Sequence, residues 1–270
     1  MAFKDVFAIK SGTIKVLVFS IVVLAVMVLY SIYYYWTINR SVDPRVVEAK
    51  KAFGEYGELM KENRYDEALV ILDKIEAIYN AVPGYEDSFE LGVININKGS
   101  IYLIRVETEY LTETKTILEE TLALYLKFAK EYTEKGVGNY VKWKKVVGKL
   151  SHDEIKTRLI ADFKKEDPAF KGYDFDQILA RRVIDIEEAQ LEIDRRLSVS
   201  YTNLGVVARY EDNNDVSKKY YEDALKLWSL NHVAENNLRV LHGKEIKKRT
   251  IVEQLFPKER IEEAKENMNK

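Results

Sequence analysis

Residues 201–241, YTNLGVVARYEDNNDVSKKYYEDALKLWSLNHVAENNLRVL, decide how this chain folds. The stretch reads as a helical hairpin followed by the start of a second copy. Asn203-Leu204 recurs as Asn237-Leu238, 34 residues further on. Gly205 lies inside the first helix, where glycine costs about 1 kcal/mol relative to alanine. A partner helix packed close against it supplies the compensation. A repeat of this length, with a small residue in its first helix, predicts hairpins stacked into a solenoid.

The rest of the composition agrees. The chain has 270 residues, 47% of them hydrophobic and 32% charged, enough for one or two domains with a sizeable core. Glycine and proline are sparse, at 12 and 4, which favours long helices over a turn-rich β-protein. The net charge of −2 argues against a nucleic-acid partner. Cysteine is absent, so disulfides and thiolate metal sites are excluded while either redox compartment remains open.

Residues 16–36, VLVFSIVVLAVMVLYSIYYYW, form an almost unbroken apolar run. At 1.5 Å per residue the run spans roughly 31 Å as a helix, matching a hydrocarbon core of about 30 Å. Ser20 and Ser31 interrupt it, and each hydroxyl can bond back to a carbonyl one turn earlier. Tyr30, Tyr33, Tyr34, Tyr35 and Trp36 crowd one end, where amphipathic rings favour the headgroup zone, and Lys10 and Lys15 flank the other. A cleaved signal peptide would have an apolar core of about 7–15 residues followed by small residues. This run is longer and ends in bulky aromatics, so an uncleaved single-pass anchor is expected. Basic residues are nearly balanced across it, but a short basic tail before a first span usually stays cytoplasmic. The expectation is an inner-membrane protein with its N-terminus inside and its body outside, in the periplasm of a bacterium.

The expected organisation is a tail at 1–15, the span at 16–36 and a linker at 37–44. Helical hairpins follow at 45–135, an irregular insertion at 136–176, a further hairpin repeat at 177–243, and a charged capping helix or tail at 244–270. Asp43-Pro44 reads as an N-cap with proline at the first helical position. Helices are expected over 45–60 and 65–80, with Ala68, Leu72 and Ile75 on one face, and a new helix opens near Asp87. Gly136-Val137-Gly138 reads as the end of a helix over 112–133. Ser151-His152-Asp153-Glu154 has the form of a capping box, and Asp167-Pro168 and residues 172–176 read as turns. Residues 177–210 read as one long helix or two, and a last short helix is expected over 258–267.

The repeat resembles the tetratricopeptide (TPR) family. Tyr201, Leu204, Gly205 and Ala208, then Ser217, Tyr221, Ala224 and Ser229, occupy the positions of its pattern. Gly99 and Tyr102 match the G-x2-Y element of an earlier unit, with Lys98 in place of the usual leucine. In the copy after 229 only Leu238 fits, so the array should end there under a polar cap. The resemblance implies an all-α, TPR-like solenoid of helical hairpins, with first helices lining a concave groove. Groove positions carried over by the pattern are Ile96, Asn97, Ser100, Leu103, Thr202, Asn203, Val206, Arg209, Tyr210, Asn236, Asn237 and Val240. Asn203 and Asn237 would offer donors and acceptors to a peptide backbone, or bond within the hairpin.

Chemistry is not indicated. His152, His232 and His242 lack zinc-ligand spacing, and Asp174 and Asp176 lack the rest of a calcium loop. Lys142, Lys144, Lys145 and Lys149 around Trp143 form the one basic, aromatic patch, suited to anionic headgroups, to an acidic partner or simply to solvent. No catalytic residue, metal or cofactor is expected, and the chain reads as a non-enzyme. The family implies a membrane-tethered scaffold or adaptor that binds protein partners and helps assemble or stabilise an envelope complex. The alternatives are a structural subunit of a homo- or hetero-oligomeric ring or motor-associated collar, or a holdase chaperone for exported proteins.

Overall fold

The computed structural model describes residues 11–110 and 118–248. Among them lie nine α-helices and no strand. The first, α1 (Ser11–Arg40), carries the apolar window Val16–Tyr35, long and apolar enough to cross a membrane. None of that window is buried against the rest of the chain. Ser31 donates its hydroxyl to the Met27 carbonyl at 2.8 Å, one turn back. The expected tail at residues 1–10, the start of the helix expected at 112–133 and the helix expected at 258–267 lie outside the described residues.

After the linker, Asp43 caps a 3-10 turn (Pro44–Val46) by accepting the Arg45 N–H at 3.0 Å. Two helices follow, α2 (Val47–Lys61) and α3 (Tyr65–Ala81), and pack as a hairpin. A second hairpin joins α4 (Phe89–Tyr110) to α5 (Leu118–Val147). The short α6 (His152–Asp162) lies against α7 (Phe175–Tyr210), a single helix of 36 residues. The end of the chain folds as α8 (Asn214–Leu227), hairpinned on α7, and then α9 (His232–Leu241).

The first and last hairpins close by the same turn. Asn63 and Asp212 adopt positive φ, 57° and 55°, which asparagine and aspartate tolerate better than most residues. Around each, the chain makes a 6→1 and a 5→2 bond: Arg64 N–H to Leu59 and Asn63 N–H to Met60, then Asn213 N–H to Ala208 and Asp212 N–H to Arg209. Counting from the turns, Ala68, Leu72 and Ile75 of α3 correspond to Ser217, Tyr221 and Ala224 of α8, and all six are buried. Gly243, at φ 66°, closes α9 with the same pair of bonds. Asp212 to Gly243 is 31 residues (243 − 212) rather than 34, so α9 stops about one turn early.

The middle hairpin differs from its sequence reading. Gly136-Val137-Gly138 does not end a helix; α5 runs straight through it to Val147. Gly136 is where α5 meets α4, and a Cβ there would fall within 3.0 Å of the Ile96 side chain. Its neighbours across the contact, Gly92 and Gly99, sit two turns apart on α4 and face Tyr140 and Thr133 of α5 just as closely. These glycines serve helix–helix approach rather than termination. Irregular chain therefore starts only at Gly148. Ser151 and Glu154 then form the expected reciprocal capping box of α6. One hydrophobic core runs through α2 to α7, with smaller clusters at Leu103, Ala129 and Val207 and at Tyr221, Ala224 and Ala234.

Candidate partner-binding surface

Of the groove positions carried by the family pattern, three belong to the interior. Ile96 packs beneath Gly136, and Leu103 packs against Ala129 and Val207. Thr202 is buried between α7 and α9; its hydroxyl donates to the Ser198 carbonyl and accepts from the Asn231 amide at 2.9 Å. Two more are spent on each other: Asn203 donates to the Ser100 hydroxyl at 3.0 Å, joining α7 to α4 across 103 residues of sequence. Asn236 is held by the chain itself, accepting the Lys247 N–H at 2.8 Å and donating to the Lys247 carbonyl. The long α7 crosses both helices of the middle hairpin and so covers Leu103 and Ser100. Arg209 and Val240 remain exposed, and Asn97, Val206, Tyr210 and Asn237 are half-buried.

The charges show a pattern that helical spacing did not reveal. Lys98, which stands where the tetratricopeptide pattern has leucine, is almost fully buried, yet its ammonium reaches Asp73 and Glu76 and faces the Tyr132 ring at 5.3 Å. Burial alone would raise the Glu76 pKa, but Lys135 and Lys98 overcome it and hold the carboxyl below its ordinary range. Arg182 of α7 forks onto Glu90 of α4 and stacks on the Tyr85 ring at 4.3 Å, so a guanidinium lies paired inside the core. Arg45, at the start of the body, sits 4.3 Å from the Phe163 ring and 4.7 Å from Phe170 while bonding Asp43 and approaching Asp167. The segment between α6 and α7 thus seats the chain that follows α1.

The lysine patch divides. Trp143 is buried against Phe89 and is no part of an exposed surface. Lys142 points away to Asp87, and Lys144 pairs with Asp194. Lys145 and Lys149 form no ion pair among the described residues and edge a groove of about 710 Å³ between α5, α7 and α8.

No group of three or more His, Asp or Glu side chains that could hold a metal occurs among the described residues. His152 faces Glu187 at 3.0 Å on the exposed side of α7. Asp174 accepts the N–H groups of Asp176 and Gln177 as the N-cap of α7. No family model, curated protein or solved structure matches this chain. What it does must therefore be argued from the span, the hairpins and the surfaces above.

Proposed function

We propose that this chain is a single-pass, membrane-tethered scaffold of tetratricopeptide type that binds protein partners and helps assemble or stabilise a cell-envelope complex. The observation that carries this reading is the union of an unpacked apolar span with a stack of helical hairpins through a short, pinned linker. The anchor restricts the body to a thin layer beside the bilayer and raises the effective concentration of anything it holds there. The body lies on the extracytoplasmic side, and the open part of its first-helix face, around Arg209 and Tyr210, makes the contact. Affinity purification of the detergent-extracted chain tests this. Distinct partners should copurify with the wild type and be lost from Arg209→Glu/Tyr210→Ala while helicity is unchanged. Equal recovery by the double variant would remove this face from the reading.

A second reading, a structural subunit of a ring or collar, draws on one observation. Part of the expected groove is already filled by the chain's own residues, Asn203 on Ser100 and Lys247 on Asn236. Crosslinking in intact membranes separates the two: one dominant self-crosslink favours the subunit, several different partners the scaffold.

A further inference from the structure

We propose that the groove between the end of α5, the middle of α7 and the end of α8 docks an acidic amphipathic helix of a partner protein. The proposal rests on the partner-binding reading above but uses none of the residues that reading tests. The floor is apolar: Leu197 is buried, Leu150, Tyr201 and Leu227 are half-buried, and Val141 and Val146 are 48% and 38% exposed. Valines this open on the lysine-rich end of α5 are covered by nothing among the described residues. The α5 side of the groove runs from Val141 to Val147, about 10 Å or two turns, with Leu150 in the chain beyond it. That length matches anchors at i, i+3 or i+4, and i+7 of a docked helix.

Charge selects the occupant. Lys144, Lys145, Lys149 and Lys226 stand around the floor against Glu154 and Asp223. Three of these six charges are already engaged: Lys226 with Asp223, and Lys144 with Asp194 outside the groove. Glu154 is occupied by the Ser151 N–H and hydroxyl, which hold its carboxyl below the ordinary range. Lys145 and Lys149 are left without a carboxylate among the described residues, so the complementary partner carries acidic residues beside its apolar stripe. A helix suits the floor better than an extended peptide, because aliphatic side chains offer nothing to a strand's backbone. It also suits it better than a bilayer. A groove set between three helices is filled by one apolar stripe on a rod, a shape that a lipid surface does not offer.

The test uses the full chain in maltoside micelles and a fluorescein-labelled synthetic helix with a leucine stripe flanked by glutamates. Fluorescence anisotropy should show binding that weakens with added salt. A matched helix with lysines in place of glutamates should bind roughly tenfold more weakly, as should the acidic helix to Lys145→Glu/Lys149→Glu. Lys74→Glu, a reversal on the exposed side of α3, should leave binding unchanged, and circular dichroism shows whether each variant is folded. The native chain has no cysteine, so a photo-crosslinker attached at Val141→Cys reports from one place and should capture the acidic helix. Absence of binding, or equal binding of the lysine helix, would overturn the proposal. So would displacement by dihexanoyl phosphatidylglycerol but not its phosphocholine counterpart, or a crosslink to a second copy or to residues 249–270. If Arg209→Glu/Tyr210→Ala keeps its partners while the acidic helix still binds, only the earlier surface is lost. The opposite pattern removes only this one.

Discussion

Gly205 shows how one missing Cβ holds a hairpin together. A methyl group built on it would fall well inside 3.0 Å of the Tyr221 ring, which is fully buried on α8 and has no room to retreat. Ser217 strengthens the same contact by donating its hydroxyl to the Gly205 carbonyl at 2.8 Å. Gly92 and Tyr140 repeat the arrangement in the middle hairpin. Forcing a side chain into such a contact costs about 1–3 kcal/mol or more. Gly205→Leu should therefore separate α7 from α8 and lower the melting temperature, with Gly205→Ala showing a smaller loss. An unchanged thermal transition by circular dichroism for Gly205→Leu would refute the packing claim.

Among the elements, α1 stands apart, because every other helix buries a face and the window of α1 buries none. Lipid would supply the cover that the described residues do not. Val26, 59% exposed near the middle of the window, is a direct probe. An arginine at the centre of a span costs about 2.5–3.5 kcal/mol in insertion. Val26→Arg should shift a substantial fraction of the chain from the membrane pellet to the carbonate-soluble fraction. A chain that stays in the pellet would count against α1 as the anchor. The turns at Asn63, Asp212 and Gly243 carry a different lesson. They are built from three different residues with a shared backbone shape, so the repeat is one of conformation more than of letters.

At the scale of the whole molecule, the hairpins are locked in sequence by buried charge. Arg182 and Glu90 join the start of α7 to the start of α4 across 92 residues. Burial alone would raise the Glu90 pKa, and the Arg182 guanidinium more than reverses this, so the carboxyl lies below its ordinary value in the folded chain. A depressed folded pKa gives stability that is complete above the unfolded glutamate value of about 4.3 and is lost as pH falls through the lower, folded value. The melting temperature should therefore drop on acidification below about pH 4, and Glu90→Gln should flatten that part of the profile. Glu90→Ala, which leaves the guanidinium buried and unpaired, should cost about 3–5 kcal/mol in chemical denaturation. Pairing it with Arg182→Met should recover much of the loss, since no charge is then stranded. A double variant no better than the single one would show that the pair contributes through packing rather than charge.

The sequence by itself determined what depends on neighbours along the chain. Apolar periodicity placed α2 and α3, the S-x-x-E pattern capped α6, and the length and purity of residues 16–36 marked a helix long and apolar enough to cross a membrane. These follow from backbone geometry within a few turns. Only the tertiary structure decided which glycines end a helix and which let one helix approach another, because both roles are written with the same letter. Gly136 was read as a stop and is a contact. It also decided the groove. Ile96, Leu103 and Thr202 lie on the face the repeat pattern assigns to partners, yet α5 covers Ile96, α5 and α7 cover Leu103, and Asn231 before α9 covers Thr202. Burial depends on what crosses above a residue, and a helical period carries no information about that. The groove beside Lys145 and Lys149 was visible beforehand only as a run of lysines; its apolar floor is assembled from three helices and the turn after α5, over 86 residues of chain from Val141 to Leu227.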